Sequence, residues 1–356
     1  MRILHVTAGP ALARASVMLA DGVLALSEAG LEQRVLAPLA HQPGLDALAR
    51  AGVGLAFADF DPVWRAATRK RVEQDIARFE PQVIQYWGGR AARFAPPRHK
   101  ARALFWHAGL TKPARLKACR WHGVLTPKIA EHVLSLGVDA GHVVQWNPFV
   151  PVRAPQICER AQWGIAENTS VVLCLARLHA KEGVDILLRA LSHLDGAHVW
   201  LAGDGPQKED LAALANKLGL DQRVHFLGRD ENRAALLSTC DVVALPARED
   251  HLGLAILEAW AAKRPVIATQ IGGAASRIMP ERDGLLVPSE DPEALARALR
   301  RALEDGDLAA NLVANGAVRF AKGYTQTAFT RAALSLYERV DRAAQARAKA
   351  SALAEP

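Results

Sequence analysis

An acidic residue, a glycine and a second acidic residue follow one another closely in the C-terminal half of the chain. Asp250 stands three residues before Gly253, and Glu258 stands five residues after it. The apolar run 242–245 comes shortly before them, so the pattern predicts a buried strand, a loop and then a helix. The amides of Gly253 and Leu254 at such a helix start, unpaired and assisted by the helix dipole, are suited to bind a diphosphate.

The two carboxylates indicate what would be attached to that diphosphate. Asp250, at the tip of the loop, can meet a sugar that lies beyond the phosphates. Glu258, one turn further into the helix, can accept hydrogen bonds from two neighbouring ribose hydroxyls, as acidic residues do in dinucleotide-binding folds. The alternative is that both are helix-capping or solvated acids, which is the better interpretation of an isolated pair at this spacing. The surrounding elements and motifs decide between the two.

Short apolar runs alternate with helical patterns along the chain, which predicts parallel sheets covered by helices on both faces. The alternation pauses at residues 147–155, where three prolines in nine residues exclude a helix or a central strand. A chain of 356 residues is expected to form two domains. The predicted organisation is an N-terminal domain 1–150, a linker 151–165, a C-terminal domain 166–324, a terminal helix 325–343 and a frayed tail 344–356.

Several motifs of the C-terminal half occur in an order typical of one enzyme family. They are residues 176–183 (ARLHAKEG), 201–206 (LAGDGP), 224–228 (VHFLG), 246–261, 265–273 (PVIATQIGG) and 283–288 (DGLLVP). Together they resemble the retaining GT-B glycosyltransferases of family four, the glycosyl transferases group 1. The first three segments are similar to that family's R-L-x-x-x-K-G motif, its G-x-G-P turn and its base-binding strand end. The similarity covers the whole second domain and is weaker in the first.

The resemblance implies an α/β protein of GT-B fold, with two Rossmann-like doubly wound domains facing across a cleft and a C-terminal helix that can cross back. It implies a retaining, metal-independent transfer of a sugar from a UDP- or GDP-linked nucleoside diphosphate sugar to a hydroxyl group, with no further cofactor. The expected acceptor is an envelope lipid or glycan precursor of the lipopolysaccharide kind. Two alternatives stay open: a non-catalytic nucleotide-sugar-binding protein, and a GT-B enzyme of another class such as a nucleotide-sugar epimerase.

The resemblance also assigns roles to individual residues. The expected catalytic residues are His107, Asp250 and Arg177. The expected donor-binding residues are Arg177, Lys181, Gly203, Gly205, Phe226, Leu227, Asp250, His251, Leu252, Gly253, Leu254 and Glu258. Arg177 and Lys181 would bind the diphosphate, and Phe226 and Leu227 would flank the base. His107, at the carboxyl end of a predicted strand, would approach the donor sugar.

Three positions depart from the family pattern. The family usually has Glu where this chain has Asp250, so the sugar contact could shift to Glu249. The family's lysine falls five residues after the arginine, where this chain has Glu182, and Lys181 stands one residue earlier. Ser276 stands where the family generally has Glu. These departures leave the donor specificity open.

The positive charge of the chain is concentrated in its N-terminal half. Residues 1–152 hold 19 Lys and Arg against 11 Asp and Glu, whereas the remainder holds 25 against 26. Residues 81–130 contain no acid, but ten basic residues between Arg90 and Lys128 and several aromatic residues. Such a surface suits an anionic membrane or a phosphorylated acceptor, and a solvated arginine-rich face is the alternative. The basic residues are not clustered in one recognition helix, so nucleic acid is not expected as a partner.

The four cysteines are scattered, without a C-x-x-C pair or a zinc-like spacing, which is typical of a protein in a reducing compartment. Every apolar run is interrupted by charge well short of the roughly 20 residues that cross a bilayer. The expected location is therefore the cytoplasm, with peripheral contact to the inner face of the cell membrane through the region 90–128.

Overall fold

The computed structural model describes residues 1–8, 14–39, 44–61, 65–152, 154, 156–229, 232–250 and 252–353. The chain divides into two compact units. The first comprises Met1–Pro148 together with Gln326–Pro356, and the second comprises Phe149–Thr325. The last helix therefore belongs with the N-terminal part of the chain, as expected for a helix that crosses back.

The first unit is built on a fully parallel sheet. Its strands, in the described part of the chain, are β1 (Arg2–Thr7), β2 (Glu32–Pro38), β3 (Gly54–Ala58), β4 (Val83–Trp87), β5 (Ala103–His107), β6 (Trp121–Val124) and β7 (Val143–Gln145). They lie in the order β3-β2-β1-β4-β5-β6-β7. β4 and β5 are buried along their whole length, because helices cover both faces of a parallel sheet.

The helices of the first half of the chain connect these strands. They are α1 (Arg14–Glu28), α2 (Leu45–Arg50), α3 (Arg65–Phe79), α4 (Gly88–Ala92) and α5 (Pro127–Ser135). Short 3-10 helices precede β5 at Pro97–Arg102 and follow it at Pro113–Ala118. The side chain of Thr126 caps α5 by accepting a hydrogen bond from the amide of Ile129.

The second unit also has a fully parallel sheet. Its strands, over the described residues, are β8 (Val171–Leu175), β9 (His198–Ala202), β10 (Val224–Gly228), β11 (Val242–Leu245), β12 (Val266–Thr269) and β13 (Leu285–Val287). Their order is β10-β9-β8-β11-β12-β13, so the chain reverses its direction of travel across the sheet between β8 and β11. Ligands of open α/β sheets bind at the carboxyl ends of the strands beside such a reversal.

The helices of the second unit cover the two faces of this sheet. They are α6 (Val184–Leu191), α7 (Lys208–Lys217), α8 (Arg233–Thr239), α9 (Leu254–Ala261), α10 (Gly272–Arg277), α11 (Pro292–Glu304) and α12 (Gly306–Gly323). Val172 and Cys174 of β8 pack in the layer formed with α6, α7 and α11. Val171 and Leu173 pack in the opposite layer, with α8, α9 and α10. Alternate residues of each strand therefore point to different sets of helices.

The terminal helix α13 (Gln326–Leu353) packs within the first unit. The ring of Phe329 stacks on Trp146 with 4.9 Å between ring centroids, and the indole N–H of Trp146 donates to the Phe329 carbonyl at 3.2 Å. Tyr337 is fully buried and its hydroxyl forms a hydrogen bond with Gln85 of β4. Aromatic packing thus attaches the end of the chain to the first sheet.

The structure differs from the expected frayed tail, because α13 continues to Leu353. Ala344 is the last buried residue of this helix, so packing does not hold its final turns. Alanine, arginine and glutamine, which have high helix propensities, make up most of those turns and allow the helix to propagate. Among the helices described above, none is both long and apolar enough to cross a membrane.

Candidate functional site

The loop after β8 and the loop after β11 meet beside the strand-order reversal of the second sheet. The backbone amides of Arg248 and Glu249 both donate to the carbonyl of Lys181, at 2.7 and 3.1 Å. Gly183, which precedes α6 with φ of 64°, lies so close to Pro246 that a Cβ would stand 2.0 Å from its carbonyl oxygen. Only glycine adopts this conformation and this approach together without strain. The two loops therefore form one rigid surface.

Gly203 and Gly205 bring a third loop against the first. A Cβ on Gly203 would stand 1.7 Å from the carbonyl oxygen of Ala176, and one on Gly205 would stand 2.3 Å from that of Leu178. The amide of Leu178 donates to the carbonyl of Asp204 at 3.2 Å. These glycines, predicted as donor-binding, allow the loop after β9 to support the backbone on either side of Arg177.

Arg177 and Lys181 both lie on the loop after β8, with exposed side chains. The ammonium of Lys181 lies 2.6 Å from Oε2 of Glu249, and about half of each side chain is exposed. An ion pair this exposed contributes at most about 1 kcal/mol, so another anion can replace the carboxylate. The loop thus carries two cations at the predicted diphosphate position, one of them paired with an exchangeable partner.

Asp250 binds the two backbone amides that lie just before α9. Its Oδ1 accepts a hydrogen bond from the amide of Leu252 and its Oδ2 accepts one from the amide of Gly253, both at 2.9 Å. The prediction that the Gly253 amide is unpaired is wrong, because the short Asp side chain hydrogen-bonds to backbone amides two and three residues further along the chain. Leu254 is the first residue of α9, and His251, also predicted as donor-binding, lies outside the described residues.

Glu258 lies one turn into α9, as predicted, and has a cation beside it. The guanidinium of Arg233, at the start of α8, donates to Oε2 of Glu258 at 2.5 Å. The Glu258 side chain is 24% exposed and that of Arg233 is 49% exposed. A ribose that binds to this carboxylate must share it with Arg233 or displace that residue.

Phe226 and Leu227 occupy the end of the edge strand β10, but on opposite faces of the sheet. Phe226 packs against the layer of α6, α7 and α11, whereas Leu227 packs against the layer that contains α9. The expectation that both side chains flank one base is corrected, because neighbouring residues of a strand alternate between faces. Leu227 is the one of the two that shares a layer with α9, the helix of Glu258.

Arg248 is a residue of this surface that the sequence analysis did not single out. Its guanidinium donates to both carboxylate oxygens of Asp185 in α6, at 2.7 and 2.9 Å, and to both oxygens of Glu290. It also donates to the carbonyl of Ala180 at 2.8 Å. These bonds hold the pKa of the Asp185 carboxyl below its ordinary value. The only sequence signal for Arg248 is its place between strand β11 and Asp250.

His107 lies at the end of β5, as predicted, but its ring is fully buried in the first unit. Its Nε2 lies 2.9 Å from Nδ1 of His122, and its Nδ1 lies 3.2 Å from the hydroxyl of Thr111. Burial, and after it the nearby His122 and His132, holds the pKa of His107 well below its ordinary value. The expectation that this ring approaches a sugar is corrected: both nitrogens already have protein partners, and the ring packs as a core residue.

The basic residues of the region 90–128 divide between the two ends of the first sheet. Exposed basic residues that closely follow β4, β5 or β6, at the carboxyl ends of the strands, include Arg90, Lys112 and Lys128. Exposed residues at the amino end, in the 3-10 helix before β5, are Arg98 and Lys100. A surface at the carboxyl end therefore carries part of the predicted charge.

Aromatic residues of the same region do not reach that surface. Trp87, Trp106 and Trp121 are at most 5% exposed and belong to the core of the first unit. Leu110, which follows β5 and stands two residues before Lys112, is 48% exposed. The apolar residue available beside the basic side chains is thus a leucine rather than a tryptophan.

Comparisons with known proteins agree with this description. Residues 156–319 match the family model of the glycosyl transferases group 1. The chain is 30% identical over 351 residues to the lipopolysaccharide core biosynthesis glycosyltransferase LpsD of Rhizobium meliloti (strain 1021), which covers 95% of this chain and 98% of that protein. It is also 30% identical over 269 residues to LpsE of the same organism, covering 75% of this chain and 78% of that protein.

Solved structures of similar fold include the Anabaena protein Alr3699/HepE in complex with UDP-glucose. That structure has a TM-score of 0.81 and 20% sequence identity, and covers 95% of this chain and all (100%) of that chain. The same protein in complex with UDP has a TM-score of 0.83 at 18% identity, with 95% of this chain covered and 100% of that chain. The predicted α/β fold class, with two doubly wound Rossmann-like units of GT-B type, is confirmed.

We expect Gly203→Ala to destabilise the second unit, because the added methyl group would overlap the Ala176 carbonyl 1.7 Å away. Overpacking of this kind costs about 1–3 kcal/mol, which thermal unfolding would detect. Gly306→Ala is the matched control, since a Cβ there meets no atom within 4 Å. Equal melting temperatures for the two variants would contradict the close approach of the loops.

The buried histidines of the first unit predict a loss of stability on acidification. Burial lowers the pKa of His122 to about 4, whereas an unfolded chain has the ordinary value of 6.5. The unfolded state therefore binds the proton first as pH falls below 6.5, and His122 alone lowers stability by up to about 1.4 kcal/mol per pH unit until about pH 4, in addition to the contributions of the buried His5 and His107. Urea unfolding between pH 7 and 5 should show this slope, with a smaller slope for His122→Gln. Replacing the exposed His193 with Gln should leave the slope unchanged, and a wild-type slope in His122→Gln would contradict the assignment.

Proposed function

The chain belongs to the glycosyl transferases group 1, and we propose that it moves a sugar from a nucleoside diphosphate sugar to a hydroxyl group of its acceptor. The donor is UDP- or GDP-linked, the transfer retains the anomeric configuration, and no metal ion takes part. The solved structures of similar fold that contain UDP or UDP-glucose support a nucleotide sugar as the donor.

One observation carries the proposal: the loop after β8, which carries Arg177 and Lys181, is bonded to the loop after β11 that leads into α9. The carbonyl of Lys181 accepts the amides of Arg248 and Glu249, so the cations and the helix start are held in one frame. A diphosphate at this position would gain from both side chains and from the helix dipole. No rearrangement of the backbone is needed to bring these groups together.

Binding of the diphosphate is an exchange of partners at Lys181. The ammonium leaves the carboxylate of Glu249, which it contacts at 2.6 Å, and binds a phosphate oxygen instead. Glu249 is then able to accept a hydrogen bond from a hydroxyl of the donor sugar. Asp250 keeps its bonds to the amides of Leu252 and Gly253, so the sugar contact moves from Asp250 to its neighbour. Glu258 binds the ribose hydroxyls.

In the transfer step, the bond between the anomeric carbon and the diphosphate oxygen breaks, and a bond to the acceptor oxygen forms on the same face of the sugar. The leaving diphosphate gains negative charge, which Arg177 and Lys181 neutralise. The proton of the acceptor hydroxyl passes to the leaving phosphate oxygen. Positioning and charge neutralisation supply the catalysis, and the buried His107 takes no direct part.

The acceptor in this proposal is an envelope lipid or glycan precursor. The likeness to a lipopolysaccharide core biosynthesis glycosyltransferase over 95% of the chain supports an acceptor of that kind. The reaction would take place in the cytoplasm, at the inner face of the membrane. Lys112 and Lys128, with the exposed Leu110, follow β5 and β6 at the carboxyl end of the first sheet and are suited to rest on an anionic surface.

The proposed donor is tested by titrating UDP, GDP and a panel of their sugar derivatives into the purified chain by calorimetry. Glu258→Gln should weaken binding about 10- to 100-fold, since hydrogen bonds to a charged group contribute about 1.5–3 kcal/mol. Glu281→Gln is the matched control, because Glu281 also pairs with an arginine, Arg301 at 2.7 Å, but in a different part of the unit.

Transfer to extracted lipopolysaccharide precursors should continue in EDTA. Binding without transfer to any acceptor would favour a non-catalytic nucleotide-sugar-binding protein.

The proposed membrane contact is tested by co-sedimentation with vesicles that contain anionic lipid. Binding should fall steeply as salt rises, because each exposed basic residue near the surface contributes about 1 kcal/mol through a screened interaction. The double variant Lys112→Ser, Lys128→Ser should bind less than the double variant Arg98→Ser, Lys100→Ser, which loses equal charge at the amino end of the sheet. Equal losses would contradict a specific docking surface, and no binding at low salt would favour a soluble acceptor.

A further inference from the structure

An arginine lies buried beneath the start of α9. Arg277 is the last residue of α10, and its side chain is 2% exposed. Taking a guanidinium out of water costs several kcal/mol unless hydrogen bonds and opposite charge compensate for it. The groups that surround Arg277 therefore indicate what this residue does.

The guanidinium of Arg277 is directed at the loop that leads into α9. Its Nε–H donates to the carbonyl of Leu252 at 2.6 Å, and the negative charge of Asp250 acts on it. On another side it lies over the ring of Tyr324, with 5.1 Å from the guanidinium carbon to the ring centroid. Burial is the largest influence on the pKa of Arg277 and lowers it, as expected for a desolvated cation.

A second bond from α10 reaches the same loop. The amide of Gly273 donates to the carbonyl of Asp250 at 2.7 Å. A Cβ on Gly273 would stand 2.5 Å from the amide nitrogen of Gly253, so the two backbones are in direct contact. α10 thus satisfies two carbonyls of the loop, those of Asp250 and Leu252.

The direction of one carbonyl fixes the direction of the next amide. The carbonyl of Leu252 and the N–H of Gly253 belong to the same planar trans peptide unit, in which they point in opposite directions. When Arg277 holds that carbonyl, the Gly253 N–H must point away from α10. There it donates to the carboxylate of Asp250 at 2.9 Å.

We propose that Arg277 is a positioning residue for donor binding, which orients the 252–253 peptide unit and places a positive charge behind the first amides of α9. The proposal rests on the proposed nucleotide-sugar function for its effect on affinity. The orientation of the peptide unit does not depend on any ligand. A buried cation at this position also offsets the negative charge of Asp250, so the helix start stays attractive to a diphosphate.

The test compares Arg277→Met, which keeps most of the apolar volume but loses the charge and the donor, with Arg277→Lys, which keeps the charge. Arg319→Met is the matched control: Arg319 is a half-buried arginine of the same unit that pairs with Asp283 at 3.1 Å and lies over the ring of Trp260. Circular dichroism and thermal unfolding establish that each variant is folded.

Hydrogen exchange in the ligand-free chain gives the first measurement. Exchange of the peptide that covers residues 249–258 should be at least tenfold faster in Arg277→Met than in the wild type, intermediate in Arg277→Lys and unchanged in Arg319→Met. Should Arg277→Met fail to fold, Arg277→Lys must still show faster exchange, because an ammonium lacks the fixed geometry of the guanidinium Nε. The proposal would be overturned if this peptide exchanged at the wild-type rate in every folded Arg277 variant. It would also be overturned if Arg319→Met accelerated the exchange as much as the Arg277 variants do.

Calorimetry with UDP and GDP gives the second measurement. We consider the nucleotide that binds the wild type more tightly. Its affinity for Arg277→Met should be at least tenfold lower than for the wild type, its affinity for Arg277→Lys should fall by less, and its affinity for Arg319→Met should equal that for the wild type. Wild-type affinity in folded Arg277→Met would overturn the role in donor binding. If neither nucleotide binds the wild-type chain, the proposed function fails, and hydrogen exchange alone decides whether Arg277 orients the loop.

Discussion

The close approach of four backbone segments at the carboxyl end of the second sheet is the constraint on which the candidate site depends. Gly183, Gly203 and Gly273 each lie where a single methyl group would overlap a backbone atom of a neighbouring loop. Since no side chain fits between the segments, their carbonyls and amides bond directly to one another. The charged side chains of the site therefore project from backbone segments that are held against one another. These contacts set the positions of Arg177, Lys181 and the start of α9.

The strands were the elements that could be predicted best from the sequence. A parallel strand buried on both faces appears as a short, continuous apolar run, and such a run is compatible with few other structures. The strand predicted at 242–245 is β11 (Val242–Leu245), and the strand predicted to end at His107 is β5. The short helices α4 and α10 were missed, since Gly88–Ala92 and Gly272–Arg277 start with paired glycines and are too short for a helical period. The last turns of α13 were expected to fray because they lack apolar residues to bury. Their high helix propensity instead lets the helix continue to Leu353.

The partners of individual site residues could not be predicted from the sequence. Lys181 and Glu249 are 68 residues apart, and Arg233 and Glu258 are 25 residues apart, so only the folded sheet brings each pair together. For His107, the strand end was predicted correctly, but the burial of the ring was not. Arg277 stands between small residues and Ile278, and a charge in such an apolar stretch is the one signal that could have identified it.

The charges of the candidate site are balanced before any donor arrives, and this shapes how a donor must bind. Lys181 pairs with the carboxylate of Glu249, Glu258 pairs with the guanidinium of Arg233, and the loop amides just before α9 bind Asp250. Because these ion pairs are largely exposed, each contributes at most about 1 kcal/mol to the stability of the folded chain. A donor gains only the difference between the new contacts and those it replaces. A diphosphate carries more charge than a carboxylate and is therefore able to displace Glu249 from Lys181, whereas a neutral sugar alone is not. Selection of an anionic donor follows from this exchange, because the acidic group that would contact the sugar becomes available only once the phosphates have bound.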